Sequence, residues 1–393
     1  MTQTPKPMSP DQIESIASEA VSDALDFIES EISEDRIKAQ RYFDGEIDLG
    51  HEEGRSRVVD TKVRDTIRSV KPSLMRIFLS NEKYVEYIPR SPQDVGQAET
   101  ATRYVHSTFT ENNGYRILQN AFHDALLKKT GVVKVYWDQY TKGKTYELTG
   151  LTEQEYLMVT QEDEIEIIEQ SMETSMSMDE MGMEIETPIY DVKLMRRKEG
   201  GKLCVEPVPP EEFFVDRGAK SVEDFYVIGH RTEMRVGDLV AMGYDFEEVS
   251  ELTGISEHDT LAEAEDFERR GYEQSDDEDI KDPSMRKVAV TEAYMRMDVD
   301  GTGVPMMYKI TLGGGQYKLL DYEVCDNVPF AVFEVDPEPH AFFGRSMADL
   351  ILDDQDAATS ILRGVLDNIA MTNNPRLSMV EGQVNIDDLL NNE

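Results

Sequence analysis

The stretch from Gly344 to Leu377, GRSMADLILDDQDAATSILRGVLDNIAMTNNPRL, constrains this chain more than any other. It predicts one long helix. Ser346 caps the start, and Asp349 three residues on makes a near capping box. Asp349, Asp353 and Asp354 fill the early turns, where the helix dipole favours acids. Apolar residues recur at Met347, Leu350, Ile351, Ala357, Ile361, Leu362, Val365, Leu366 and Ile369, forming a stripe. The other face carries Asp353, Gln355, Asp356, Arg363 and Asp367. Asn373-Asn374-Pro375 stops the helix, because the residue before proline avoids the helical region. About 25 residues at ~1.5 Å each give roughly 38 Å. A helix that long needs neighbours along its whole length, and little sequence follows it to supply an antiparallel partner.

Upstream, Ser9-Pro10-Asp11-Gln12 is a second helix start, with a cap, a proline at the first helical position and a capping-box glutamine. Ile13, Ile16, Val21, Leu25, Ile28 and Ile32 continue it at helical spacing to Tyr42-Phe43, where Asp44-Gly45 breaks it. A helix is expected over 60–79, kinked or split at Pro72. A strand is expected at Tyr84–Ile88, then helices from Ser91 to about Asn112 and from Tyr115 to Lys129. VVKVYW at 132–137 alternates as a strand, with 146–148 as its hairpin partner. Thr152–Glu155 is a capping box before a short helix. Strands are expected at 189–194, 203–208, FFVD at 213–216 and 226–232, then a short helix at 236–242 and a helical piece from Asp245. The segments 288–297, 306–312 and 317–320 read as a strand meander, and 329–333 as a final short strand before the long helix. Two segments read as insertions: the Met-rich, acidic 171–187 as an exposed loop, and the charged 257–284 as flexible.

Charge narrows the function classes. The chain has 393 residues, enough for two domains or one core with large insertions. Lys and Arg number 40 against 80 Asp and Glu, a net charge of -40. That balance repels phosphate backbones at long range and argues against a DNA-gripping protein driven by counterion release. It leaves room for a surface along which nucleic acid passes without sticking. The two cysteines, Cys204 and Cys325, form no disulfide framework or zinc motif. The start, MTQTPKPMSPDQIES, lacks the basic and apolar regions of a signal peptide. No stretch approaches eighteen uninterrupted apolar residues, so no membrane span is expected.

Motifs for chemistry fail when tested. MDVDGTG echoes a calcium loop, but its glycine falls at position four and Lys309 stands where a bidentate Glu is needed. Asp300-Gly301 between strands reads as a hairpin turn. GGG at 313–315 lacks the phosphate-loop and dinucleotide spacings. The six histidines show no HxxxH or HExxH spacing, and His123 reads as a packed histidine. No GxSxG elbow is present. These residues point to no enzyme, no cofactor and no metal. The competing classes are a metal-dependent nuclease using an Asp pair and an oligomeric scaffolding protein built on the long helix.

Taken in order, several stretches resemble the portal proteins of tailed double-stranded DNA bacteriophages, of the short-tailed type. The most specific is the opening helix: Gly344 and Ser346, Asp353 to Gln355, Arg363, Asp367 and Asn368, then Asn374 to Arg376. RYFDGE at 41–46, LLKKTGVVKVYW at 126–137, PPEEFFVDRGAKSVEDFYVIGHRTEM at 209–234 and LVAMGYD at 239–245 support it.

The resemblance implies an α+β portal fold, with a mixed helix and strand wing over 1–340, a stem helix over 341–373 and the start of a clip over 374–393. It implies that the sequence is an N-terminal piece, the rest of the clip, a second stem helix, a channel loop and a crown lying beyond it. It implies a structural, virion-located protein at the capsid portal vertex, assembled in the host cytoplasm. Its partners would be copies of itself in a ring, usually of twelve, with the major capsid protein, a transient terminase large subunit, a tail adaptor or head-completion protein, and double-stranded DNA passing non-specifically. Met347, Leu350, Ile351, Ile361, Leu362, Val365 and Ile369 are the expected stem interface. Asp353, Asp356, Arg363 and Asp367 are candidate channel or inter-subunit charges. Asn374, Pro375 and Arg376 would enter the side facing terminase and adaptor.

Overall fold

The computed structural model describes residues 7–50, 54–80, 84–152, 156, 159, 165–178, 184–254, 260–271 and 282–373. The chain is α+β and divides into two compact units, one of residues 1–134 and 206–393, the other of residues 135–205.

In the larger unit, helix α1 (Pro10–Ile28) begins with the expected capping box, both Ser9–Gln12 bonds being made. A π turn over Glu29–Ser33 interrupts the helical run before α2 (Glu34–Asp44). Gly45 ends α2 at φ 80°, a left-handed conformation that glycine adopts without steric penalty. Then come α3 (Lys62–Leu79), α4 (Val95–Glu111) and α5 (Gly114–Lys128). Strand β1 (Thr130–Leu151) leaves this unit after Lys134, and β3 (Glu184–Val208) re-enters it. β4 (Phe213–Val215) and β5 (Val227–Arg235) lead to α6 (Val236–Ala241), α7 (Phe246–Ser250) and α8 (Thr260–Arg270). β6 (Lys287–Met297), β7 (Met306–Gly313), β8 (Lys318–Val324), β9 (Phe330–Glu334) and α9 (Met347–Asn373) complete it.

The sheet β4-β5-β6-β7-β8 is antiparallel throughout. Strand alternation sends neighbouring side chains to opposite faces. Phe214 therefore packs with Met295, Ile310 and Leu312 under Ile13, Ala17, Val21 and Ala24 of α1. Phe213 packs in a second core with Val215, Ile228, Tyr294, Phe330 and Phe342. β9 pairs with Thr130–Lys134 of β1. A third core joins Ala39 and Tyr42 of α2, Val63 and Ile67 of α3, Leu126 and Leu127 of α5 and Ala348 of α9.

The smaller unit holds the β2 (Ile165–Met178) to β3 pair, in register from Ile165–Arg196 to Met178–Glu184 with an irregularity at Ile167/Glu169. Val192 and Leu194 are buried there. Tyr156 stacks on Tyr190 with ring centroids 4.6 Å apart and donates from its hydroxyl to Gln170.

Several expectations change. The Met-rich 171–187 stretch is strand on both sides of 179–183, not a loop, because its backbone pairs in the β2–β3 ladder. Residues 132–137 and 146–148 lie in the one strand β1 and are not hairpin partners. Tyr84–Ile88 forms no strand. Its backbone is tied to α4 instead, Tyr87 N donating to Thr102 Oγ1 at 3.0 Å and Tyr84 stacking on His106 and Phe109. α3 runs as one helix through Pro72, which is exposed. The Asp300-Gly301 turn is a longer loop over 298–305, where Asp298 accepts from Thr302 N and Gly303 N. The Thr152–Glu155 box lies outside the described residues.

The largest change is α8, inside the supposed flexible insertion 257–284. Its Glu265 is fully buried, as are Arg36 of α2 and Lys128 of α5. Arg36 lies 4.0 Å from Glu265, and Lys128 lies 3.9 Å from Glu265 and 3.8 Å from Glu211. Arg269 bonds Asp124 at 2.9 Å and Glu211 at 2.8 Å. Arg36 also donates to the Pro210 carbonyl at 2.9 Å. Three cations thus meet three carboxylates, all with buried side chains except the half-buried Arg269. Burial raises the Asp124 and Glu265 carboxyls and lowers Lys128, while opposite charges pull each back. His123 nearby is held down to about 4 by burial and by Lys71, Arg269 and Lys128, so it is neutral packing.

Removing one member of such a cluster leaves an uncompensated buried charge. We expect Lys128→Ala to lose about 3–5 kcal/mol in urea unfolding. Glu212 gives a pH test. Burial first, then Glu211 and Asp266, push its carboxyl from 4.5 up to about 7. It therefore holds its proton better when folded, so its contribution is complete below about pH 4.5 and is lost as pH rises towards about 7. Glu212→Gln should unfold at higher urea than the wild type at pH 8, by about 1–3 kcal/mol, and the gap should close at pH 4.5.

Candidate functional site

The helix α9 starts as its sequence requires. Ser346 Oγ accepts from Asp349 N at 3.0 Å, and Asp349 accepts from Ser346 N at 2.8 Å. A Cβ on Gly344 would lie 2.3 Å from the Asp336 carbonyl, so only glycine allows the chain to enter the helix there. Lys129 reaches Asp349 at 3.3 Å and Asp35 at 2.8 Å, fixing the helix start to α2 and α5.

Three faces of α9 then diverge. The first turns bury Ala348, with Met347, Ile351 and Leu352 packed against the Val63, Ile67, Leu126 and Leu127 core. Next comes a polar row at four-residue spacing, Gln355, Thr359, Arg363 and Asp367, along one side of a helix. It takes up the backbone of the segment before α3. Gln355 accepts from Val63 N at 2.9 Å and donates to Tyr42 O at 3.0 Å. Thr359 accepts from Asp60 N at 3.1 Å. Arg363 donates to Val58 O at 2.9 Å and Gly50 O at 3.2 Å. Asp367 accepts from Ser56 N at 2.7 Å and pairs with Arg55 at 3.7 Å. The segment runs opposite to the helix, and it belongs to no strand, so these side chains satisfy groups a ladder would otherwise satisfy.

The third face is apolar and open. Leu350 is 49% exposed, Ile361 68%, Val365 50% and Ile369 50%, with Leu362 also exposed. Single exposed apolar residues need no explanation, but a row of them on one helix is the kind of patch that sets a candidate site apart.

The seven expected interface residues therefore separate. Met347 and Ile351 pack within the chain, while Leu350, Ile361, Leu362, Val365 and Ile369 are free. The four expected charges separate too. Asp353 is exposed, whereas Arg363 and Asp367 hold backbone and Asp356 accepts from the Tyr42 hydroxyl at 2.9 Å. Burial first, and then that bond, push the Tyr42 hydroxyl up to about 12. Asn374, Pro375 and Arg376 lie outside the described residues. Sequence reasoning placed Gln355 on the polar face without giving it a role and passed over Thr359, although their four-residue spacing with Arg363 and Asp367 was the available signal.

Among the described residues, no group of three or more His, Cys, Asp or Glu is placed to hold a metal ion, and no helix is long and apolar enough to cross a membrane.

The profile of a family described as phage SU10 portal protein matches residues 13–393. No curated protein matches the chain. Among solved structures, an alpha-mannosidase from Enterococcus faecalis V583 is 9% identical over 67% of this chain and 40% of its own, with a TM-score of 0.10, too low to bear on the fold.

Gln355 satisfies two backbone groups at once. We expect Gln355→Leu to destabilise by about 2–5 kcal/mol, since each orphaned group costs ~1–3 kcal/mol. Asp353→Ala, an exposed control, should stay within about 0.5 kcal/mol. Urea melts of both variants measure the difference.

Proposed function

The chain belongs to the phage SU10 portal protein family, and from that premise we propose that copies of it close into a ring at one capsid vertex, forming the channel through which double-stranded DNA enters and leaves. On this reading 1–340 is the wing, 341–373 the stem helix and 374–393 the start of the clip. The ring also meets the major capsid protein and docks the terminase large subunit and then a tail adaptor. The protein is structural, and the energy for DNA movement comes from the motor it docks.

The observation that carries the reading is the division of α9. Its polar row is spent on the chain's own backbone, and its apolar row is left open. Leu350, Ile361, Leu362, Val365 and Ile369 are thus available to a neighbouring copy in a head-to-tail contact of the kind that closes rings. Asp353, exposed, is the remaining candidate for a channel or inter-subunit charge among the four. The net charge of -40 suits a conduit, because a wall that bound phosphates tightly would stall its cargo.

Negative-stain images of the purified full-length protein should show closed rings with a central channel. Ile361→Glu combined with Val365→Glu should leave particles of monomer mass in sedimentation velocity, with a circular dichroism melt like the wild type's. Wild-type particles that stay monomeric, or a double variant that still forms rings, would refute the stem assignment. DNA retardation at 0.15 M salt should be weak and independent of sequence, and a nanomolar, sequence-specific complex would refute the conduit.

A further inference from the structure

Charge is not spread evenly over this acidic chain. From Arg55 to Arg76 there are seven Lys or Arg and two Asp, while α1 carries five acids and no Lys or Arg. Each set has members already used within the chain. Arg64 donates to Phe43 O and Arg55 pairs with Asp367, and Glu14 accepts from Leu319 N. Lys71 is half-buried, and the others are open. Arg57, Lys62, Arg68 and Arg76 are exposed, and among the described residues none of them makes an ion pair. The same holds for Asp11, Glu19, Asp23 and Asp26 on the open side of α1.

The two rows match in length. Lys62 to Arg76 and Asp11 to Asp26 each span roughly 21–22 Å at ~1.5 Å per residue. They also belong to different cores, α1 lying on the five-stranded sheet and α3 in the helical core with α5 and α9. Each row is therefore free to meet a different copy. α3 packs directly on α9, whose open apolar row is the proposed interface, and an apolar centre bordered by charge is the usual anatomy of a contact between proteins.

We infer that the basic face of α3 receives the acidic face of α1 from a second copy of this chain. The contact rests on the ring reading above and supplies it with orientation, since like faces repel and only acid on base is favourable. A nucleic acid is the weaker occupant. Asp65 stands within the basic row, and the acidic remainder of the chain repels a polyanion before it arrives.

Two triple variants test this. One reverses α1 (Asp11→Lys, Glu19→Lys, Asp26→Lys), the other α3 (Lys62→Glu, Arg68→Glu, Arg76→Glu). All six side chains are exposed, and melting by circular dichroism checks each fold. In sedimentation velocity at 0.15 M salt, each variant alone should associate at least tenfold more weakly than the wild type. An equimolar mixture should assemble again, because each variant then meets a face of opposite charge. Wild-type rings with variants that assemble equally well would overturn this contact and leave the ring reading standing. No wild-type rings, but complexes in the mixture that neither variant forms alone, would sink the ring reading and keep the contact. Loss of double-stranded DNA retardation by the α3 variant with assembly unchanged would make the row a nucleic-acid surface and overturn the proposal.

Discussion

Six clustered charges, five of them buried, hold the larger unit in one arrangement. Arg36, Lys128 and Arg269 face Glu211, Glu265 and Asp124. Removing so many ions from water is costly, and their mutual attraction offsets that cost only if every partner arrives in place. The requirement ties α2, α5, α8 and the turn before β4 into a single geometry. Its effects reach the candidate site along α2, because Tyr42 lies less than two turns beyond Arg36. The Tyr42 carbonyl accepts from Gln355 and its hydroxyl donates to Asp356, so the ion cluster sets where α9 can lie.

Much of this architecture was legible in the sequence, for local reasons. Ser9, Gln12, Ser346 and Asp349 act within one helical turn, so their caps are visible without knowing the fold. The apolar run FFV and the meander of β6 to β8 are equally local. The ion cluster was not legible. Glu265 sits in a charged segment whose natural reading is a solvated loop, and its partners Arg36 and Lys128 are more than a hundred residues away. Nothing in EAEDFERR distinguishes Glu265 from its exposed neighbours except helical phase, and phase has meaning only once a helix is granted. Tyr84–Ile88 misled for the opposite reason. Its composition suits a strand, but a strand needs a partner edge, and Thr102 and His106 of α4 took that place.

The candidate site was half legible. Periodicity located the apolar stripe of α9 but treated it as one surface, whereas Met347 and Ile351 turn inward and Leu350, Ile361, Val365 and Ile369 turn out. The charged residues were the less legible half. Arg363 and Asp367 look like solvent or channel groups on a helical wheel, and the segment that claims them lies about 300 residues earlier.

That claim bears on how such a helix can serve an assembly. A long amphipathic helix with an open apolar row would fray or slide if only its first turns were packed. Gln355, Thr359, Arg363 and Asp367 prevent this at four successive positions, each bonded to backbone that cannot rotate away. The outward row is therefore held rigid before any partner binds. A preorganised face loses less entropy on association, which is what the proposed ring contact would need from a modest apolar row. On the proposed ring reading, Arg363 and Asp367, which look like functional charges of this helix, would serve by holding its apolar residues in place.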